Sequence, residues 1–319
     1  MTLVDFFDKC RFWGCKRNAT LDKIKIYGLV NTTVAVIANI VLPIYFAVTK
    51  RAAKNRLVGG GCEHRPRVVI SLTSFPKRIP TLHLVIESLL RQSVKPDKIV
   101  LYLTESQVPE INALPKNLLA QRSRGLDIVL CPDEIRSHTK YFYAMQQYPN
   151  DIVITVDDDL FYRSDLVETH LRNAKQNPGC VIANWVKEII PNKYKYTEWP
   201  DKNGKEQCRN RNYLILGVSS VLYPPHALHP DAFNVENIKK LSLTADDIWL
   251  TAMLLKQGTE IVYSGYEYNH LPVHIRNNET LLSGNYVRNQ QCIDAINNYY
   301  HAMNDCRPFI DLPIKNNKL

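Results

Sequence analysis

The sequence predicts an α/β protein built on an open, largely parallel β-sheet flanked by helices. Two observations carry this. From Arg67 onward, short β-branched runs alternate with helix-spaced apolar residues, the pattern of parallel strands joined by crossover helices. The run 152–156 then ends in three consecutive carboxylates, Asp157, Asp158 and Asp159. Like charges at the carboxyl end of a strand sit where open sheets of this class bind their ligands.

The first element is an appendage. Residues 1–25 form a basic segment, and the aromatic and cationic stretch 10–17 suits an anionic headgroup layer. Residues 26–49 contain no charge and match the thickness of a bilayer core. Asn31, Thr32, Thr33, Asn39 and Pro43 weaken that helix, and Pro43 is expected to kink it. Three placements stay open: a spanning helix, an interfacial or re-entrant anchor, and a buried core helix. Lys23 and Lys25 precede the run, and Lys50, Arg51, Lys54 and Arg56 follow it. Both clusters are satisfied at once by an interfacial helix whose flanks share the cytoplasmic face. Residues 50–65 read as a basic, Gly-rich linker, and 66–312 as the main domain.

Within that domain the pattern predicts a strand over 67–73, a turn at 74–78 and a helix over 82–92, with Leu82, Val85, Ile86, Leu89 and Leu90 on one face. Strands follow over 98–103 and 126–131, a helix over 138–147, and the strand 152–156. Ile248, Leu250, Met253 and Leu254 mark a further helix that begins near Asp246 and Asp247, with Thr244 or an Asp as its N-cap.

The hydrophobic share of 45% and charged share of 22% are those of a globular chain. A net charge of +9 admits nucleic acid, an anionic membrane or anionic substrates. No zinc-finger spacing, RNP-type motif or basic recognition helix occurs, which argues against nucleic acid. The eight cysteines include no CxxC pair, so zinc and thioredoxin chemistry are disfavoured. Neither GxGxxG nor GxxxxGK[ST] is present, which disfavours dinucleotide dehydrogenases and P-loop NTPases.

The three adjacent aspartates repel one another unless a cation neutralises them, and oxygen-only ligands suit Mn2+ or Mg2+ bridging substrate phosphates. Lys77 and Arg78 after the first strand, and Lys140 on the helix before the acidic run, bring cations to the same edge. This combination fits a nucleoside diphosphate. The pair Asp246–Asp247 admits two roles, a helix cap or a general base facing an acceptor hydroxyl. Trp185, Tyr194, Tyr196 and Trp199 lie among lysines, where they either bind a sugar acceptor or pack the loop.

Five segments in order, SLTSFPKRI, KPDKIVLYLTE, the stretch HTKYFYAMQQYPNDIVITVDDDLFY, GVSSVLYPP and TADDIWL, resemble a bacterial glycosyltransferase of GT-A fold over about residues 66–300. The layout is also similar to that of exostosin-like sugar transferases. The resemblance implies a Rossmann-like sheet and a DxD motif in which Asp159 holds the metal, with Asp157 near it. It implies that Thr73, Arg78, Lys140, Asp157, Asp158 and Arg276 meet the nucleotide sugar, and that His270 or His274 adds a metal ligand, with His274 the choice. It favours Asp247 as the base, with Asp246 as the alternative, and makes Gly217 part of an acceptor-side strand. The expected activity moves a sugar from a nucleotide-diphosphate donor, UDP-linked by family habit, to a saccharide or lipid-linked acceptor in surface polysaccharide or glycolipid synthesis. The expected location is the cytoplasmic face of a bacterial inner membrane. Inversion and retention both remain open. Two rivals stand beside this reading: a catalytically silent GT-A binding or assembly subunit, and a metal enzyme acting on phosphate esters.

Overall fold

The computed structural model describes residues 1–11, 26–49, 66–273 and 282–312. The linker 50–65, most of the aromatic stretch 10–17, His274 and Arg276 lie outside the described residues.

Ten strands are described: β1 (Val68–Thr73), β2 (Lys98–Thr104), β3 (Leu126–Cys131), β4 (Ile152–Thr155), β5 (Val181–Ala183), β6 (Val186–Glu188), β7 (Cys208–Asn210), β8 (Tyr213–Ile215), β9 (Val221–Tyr223) and β10 (Ile261–Tyr263). Eight of them form one open sheet in the order β3-β2-β1-β4-β9-β5-β10-β7, while β6 and β8 pair separately. Strands β1 to β4 run parallel, and β5 and β10 share their direction. Only β9 and β7 are reversed. The sheet is thus mostly parallel and Rossmann-like.

The central strands β1 and β4 are largely hydrophobic because both faces of the sheet are covered there. Val69, Ile70 and Leu72 of β1 are fully buried, as are Val100 and Leu101 of β2. The helices are α1 (Leu3–Lys9), α2 (Ile26–Thr49), α3 (Ile79–Leu90), α4 (Lys116–Leu119), α5 (Thr139–Gln147), α6 (Leu166–Gln176), α7 (Val235–Leu241), α8 (Asp246–Gln257) and α9 (Leu282–Ala302). Helix α3 starts three residues before the expected Leu82 because Pro80 is suited to a first turn, where no N–H is required. It ends at Leu90. Gln92, expected inside it, instead donates from its amide to the Arg163 carbonyl at 2.7 Å. Pro43 lies inside α2 without ending it.

The chain order places the site. From β1 the chain moves outward through β2 to β3, then returns to lay β4 against the other side of β1. Ligands of open α/β sheets bind in the crevice opened by such a reversal. Thr73 ends β1 on one side of it, and Asp157–Asp159 follow β4 on the other. On the far half of the sheet, α8 leads into β10 and brings Asp246 and Asp247 towards the same edge.

Candidate active site

Five carboxylates and two cations meet at this edge. Arg78, just ahead of α3, pairs with Asp158 and, at 2.9 Å, with Asp159. Asp158 is buried, and its second oxygen accepts from the Ser74 hydroxyl at 2.6 Å. Buried Lys140 of α5 lies 3.2 Å from Asp157 and 3.3 Å from Asp246. Asp246 also accepts from the Ser137 hydroxyl at 2.8 Å. Asp247 accepts from the backbone N–H of Gly217 at 2.9 Å. The Thr73 hydroxyl donates to the Tyr102 carbonyl at 2.9 Å, and Thr73 is half-buried at the end of β1.

The electrostatics separate these acids. Burial and then Asp246 push Asp247 up to about 8, against the pull of Lys140. Burial also works against ionisation of Asp246, but Lys140, His138 and the Ser137 hydroxyl outweigh it and hold its carboxyl below the ordinary range. Burial raises Asp157, assisted by Asp246 and Asp158 and opposed by Lys140. Burial and Asp157 raise Asp159 to about 6, with Arg78 opposing. Burial disfavours the charge on Lys140, yet Asp246, Asp157 and Asp247 keep it well above its usual value. Five acids against two fixed cations leave an excess of negative charge that a divalent ion would relieve.

Do these residues fit such an ion? Among the described residues no three His, Cys, Asp or Glu side chains converge to hold a metal by themselves. Mg2+-type ions commonly take one or two carboxylates and complete their shell with water and substrate phosphate. Asp159, with 38% of its side chain exposed, and Asp157 provide that set of hard oxygens. Asp158, with both oxygens occupied, does not.

Several expectations change. Neither Thr244 nor an Asp caps α8: its N-cap is Ala245, with no side-chain bond, and Asp246 and Asp247 lie within the first turn. Their side chains turn to Ser137, Lys140 and Gly217 instead of the helix N–H groups. Gly217 precedes β9 in a loop and is not itself in a strand. A Cβ there would lie 2.6 Å from Asp247 Oδ1, so its bare backbone seats the carboxylate closely. Tyr196 and Trp199 are core residues, 6.0 Å apart, and Trp199 stacks on Phe309 at 6.0 Å. Of the four candidate aromatics only Trp185 lines a cleft described here, and Tyr194 is exposed.

That cleft, about 480 Å³, opens beyond the carboxyl ends of β5 and β10 and includes Asn184, Trp185, Ser219, Tyr266, Tyr268 and His270. Tyr268 stacks on Tyr162 at 6.0 Å, and the Tyr162 hydroxyl accepts from the Asp157 N–H at 2.7 Å, so the cleft adjoins the acidic run. His270 and Ser219 both have left-handed backbones, φ 53° and 82°, and bond to each other at 2.8 Å. Burial lowers His270 to about 3, which keeps it neutral. The segment after His270 runs along the acidic loop: Val273 N–H donates to the Asp159 carbonyl at 2.7 Å, and Phe161 N–H to that of Leu271 at 2.9 Å. Ser74, Ser137 and the Gly217 amide were not singled out by sequence as partners of the acids. Each lies far along the chain from the carboxylate it holds.

No protein-family model matches this chain, and no curated protein sequence does. Solved structures with related folds include a mannosyltransferase of Pyrobaculum calidifontis in complex with GDP-Man and Mn2+, at 13% identity and TM-score 0.46, covering 88% of this chain and 77% of that one. A UTP-bound UGPase from Acinetobacter baumannii matches at 10% identity and TM-score 0.36, covering 63% and 89%. A 4-diphosphocytidyl-2C-methyl-D-erythritol synthase from Anaerococcus prevotii matches at 14% and 0.40, covering 64% and 91%. Likenesses this distant decide nothing about chemistry.

Proposed function

We propose that this protein is a metal-dependent glycosyltransferase of GT-A type, which transfers a sugar from a nucleotide-diphosphate donor, UDP-linked by preference, to a saccharide or lipid-linked acceptor. The observation that carries the reading is the division of labour among the five carboxylates at the sheet edge. Asp246 is neutralised by Lys140 and Ser137, Asp158 by Arg78 and Ser74, and Asp157 and Asp159 keep oxygens for a cation. Asp247 is held by one amide and has the raised proton affinity suited to a base.

In this reading Asp159 and Asp157 would hold Mn2+ or Mg2+, joined by His274 if the resemblance carries to that position. When bound, the ion offsets charge on the departing diphosphate. Thr73, Arg78, Lys140 and Asp158 face the donor, joined by Arg276 if the resemblance carries to that position. Arg78 and Lys140 already carry the charge to meet phosphate, while their ion pairs fix their side chains in advance. Asp247 accepts the proton of the acceptor hydroxyl as that oxygen bonds to the anomeric carbon and the sugar–phosphate bond breaks. The Gly217 amide fixes Oδ1 and leaves the other carboxylate oxygen for the proton. Trp185 and the 480 Å³ cleft stand on the acceptor side.

The test is a panel of nucleotide sugars incubated with the full-length protein and Mn2+, reading released nucleoside diphosphate. Release from one donor class supports the reading. Consumption of a nucleoside triphosphate with pyrophosphate release would replace it with nucleotidyl transfer. Absence of turnover on every donor would overturn the enzyme reading and favour the catalytically silent subunit.

A further inference from the structure

Helix α2 has two unlike faces. Ala35, Ala38, Leu42 and Phe46 are buried, and these positions share one side of a 3.6-residue helix. That side is docked on the main domain. Asn39 donates to the Pro272 carbonyl at 2.8 Å, and Arg91 donates to the Thr49 hydroxyl at 2.9 Å while its guanidinium sits 4.9 Å from the Phe46 ring. The opposite side carries Leu29, Val36, Ile37, Ile40, Ile44 and Val48, all exposed, with Leu29 at 69%, Ile40 and Ile44 at 61% and Val48 at 76%. A water-facing helix does not place this many large apolar side chains together.

The chain on the N-terminal side of α2 returns to the same domain. Asp8, fully buried, accepts from the Asn269 N–H at 3.1 Å, and Asp5 accepts from the Ser164 N–H and hydroxyl, each at 2.8 Å. Arg11 donates to the Asn269 carbonyl at 3.1 Å. A helix that crossed a bilayer once would put residues 1–11 and 66–312 on opposite sides, where none of these bonds could form. Its docked side, with Asn39 and Arg91, would also have to leave the domain.

We infer that α2 does not span: its Leu29–Val48 face lies flat in the interfacial layer of an anionic bilayer, with both ends of the helix on one side. Charge points to the occupant. Lys23 and Lys25 before the helix, and Lys50, Arg51, Lys54 and Arg56 after it, flank this face in sequence, and the protein carries +9. Apolar side chains bordered by cations fit acyl chains beneath anionic headgroups. The same helix holds Pro272 through Asn39, one residue from Val273, which bonds to Asp159. Membrane seating therefore sets the acidic site beside the lipid surface. The inference does not depend on the chemistry proposed above.

Two measurements on the full-length protein test it. An epitope tag before Met1 and a second after Leu319 are followed by protease treatment of sealed membrane vesicles. A flat helix gives both tags the same fate, cut or protected together, and opposite fates overturn the inference. Flotation with phosphatidylcholine vesicles, with and without phosphatidylglycerol, then tests the face. Binding should require the anionic lipid and fall at least roughly tenfold in Ile40→Asn/Ile44→Asn, whose melting temperature should match wild type because both positions are exposed. Equal flotation of the variant, no flotation of the wild type, or a wild-type dimer that the variant converts to a monomer without any vesicle binding would each overturn it. The last result would assign the face to a second copy of the chain.

Discussion

Replacing Gly217 by alanine tests the assignment of Asp247 without touching the carboxylate. Gly217 has no left-handed backbone that would forbid a side chain. The added Cβ would lie 2.6 Å from Asp247 Oδ1, and ordinary contact begins at 3.4 Å, so the carboxylate must retreat by about 0.8 Å and its bond to the Gly217 amide must lengthen. Misplacing a catalytic group by about 1 Å costs on the order of 100-fold in rate. Gly217→Ala should therefore lower kcat about 100-fold, with donor affinity and melting temperature close to wild type. Asp247→Asn removes the proton acceptor and should cost on the order of 10²–10⁴-fold. Because α8 has no side-chain cap at Ala245, that substitution forfeits at most about 1 kcal/mol of interaction with the helix dipole. The double variant should be no slower than Asp247→Asn alone, since both changes act through one group. Transfer rates at saturating donor, with calorimetric donor affinities and thermal melts, decide it. A Gly217→Ala enzyme at wild-type rate would refute the reasoning. So would a double variant that loses the product of the two single effects. A greater loss in Asp246→Asn than in Asp247→Asn would move the base back one residue.

Three further outcomes are expected. Asp159→Ala should abolish the Mn2+-dependent part of nucleoside diphosphate binding in calorimetry while the protein stays folded; a variant that keeps the wild-type gain in affinity with Mn2+ would remove Asp159 from the metal site. Lys140→Met leaves the part-buried Asp157 and Asp246 without their shared cation, a loss of up to about 3 kcal/mol, so its melting temperature should drop at pH 7.5 and recover in part at pH 5, where carboxylates take up protons. The metal-free protein should melt lower at pH 8.5 than at pH 6.5: the folded state holds a proton on Asp247 up to about 8 that the unfolded chain releases near 4, so stability falls as pH rises through that window. Asp8, raised to about 7 by burial, adds to the same slope, so Asp247→Asn should flatten the slope in part, and an unchanged slope would contradict the shift assigned to Asp247.

The fold was legible because its strands are continuous apolar runs with short polar joints. Strands β1 to β4 fall within a residue of the expected bounds, and the acidic run does follow β4. Helices α5 and α8 begin within a residue of their expected starts, but not every helix detail was legible. Pro80 moved α3 forward, and tertiary partners took the side chains expected to cap α8. The short strands β5 to β10 carry three residues each, too few to show a period; only β9 was expected, from the resemblance of its segment and not from its pattern. Tyr196 and Trp199 show the same limit. An aromatic among lysines looks like a binding residue in sequence, and only the packing of Trp199 on Phe309, more than a hundred residues away, reveals a core.

The pair Asp246–Asp247 was the least legible part of the site, and its resolution rests on helix geometry. Adjacent residues on a helix point about 100° apart, so two aspartates alike in sequence meet different surroundings. Asp246 turns towards the start of α5, where Lys140 and, just before the helix, Ser137 engage its two oxygens. Asp247 turns towards the loop before β9, where a residue without a side chain leaves room for a carboxylate and offers it a single N–H. Lys140 then has a second function. By neutralising Asp246 it keeps that acid ionised, and the ionised Asp246 is, after burial, the largest influence that raises Asp247. The acid without the catalytic role in this reading is therefore what tunes its neighbour. Substituting Asp246 by Asn should lower the proton affinity of Asp247 and shift the ascending limb of the pH–rate profile to lower pH, an effect that a purely structural Asp246 would not produce.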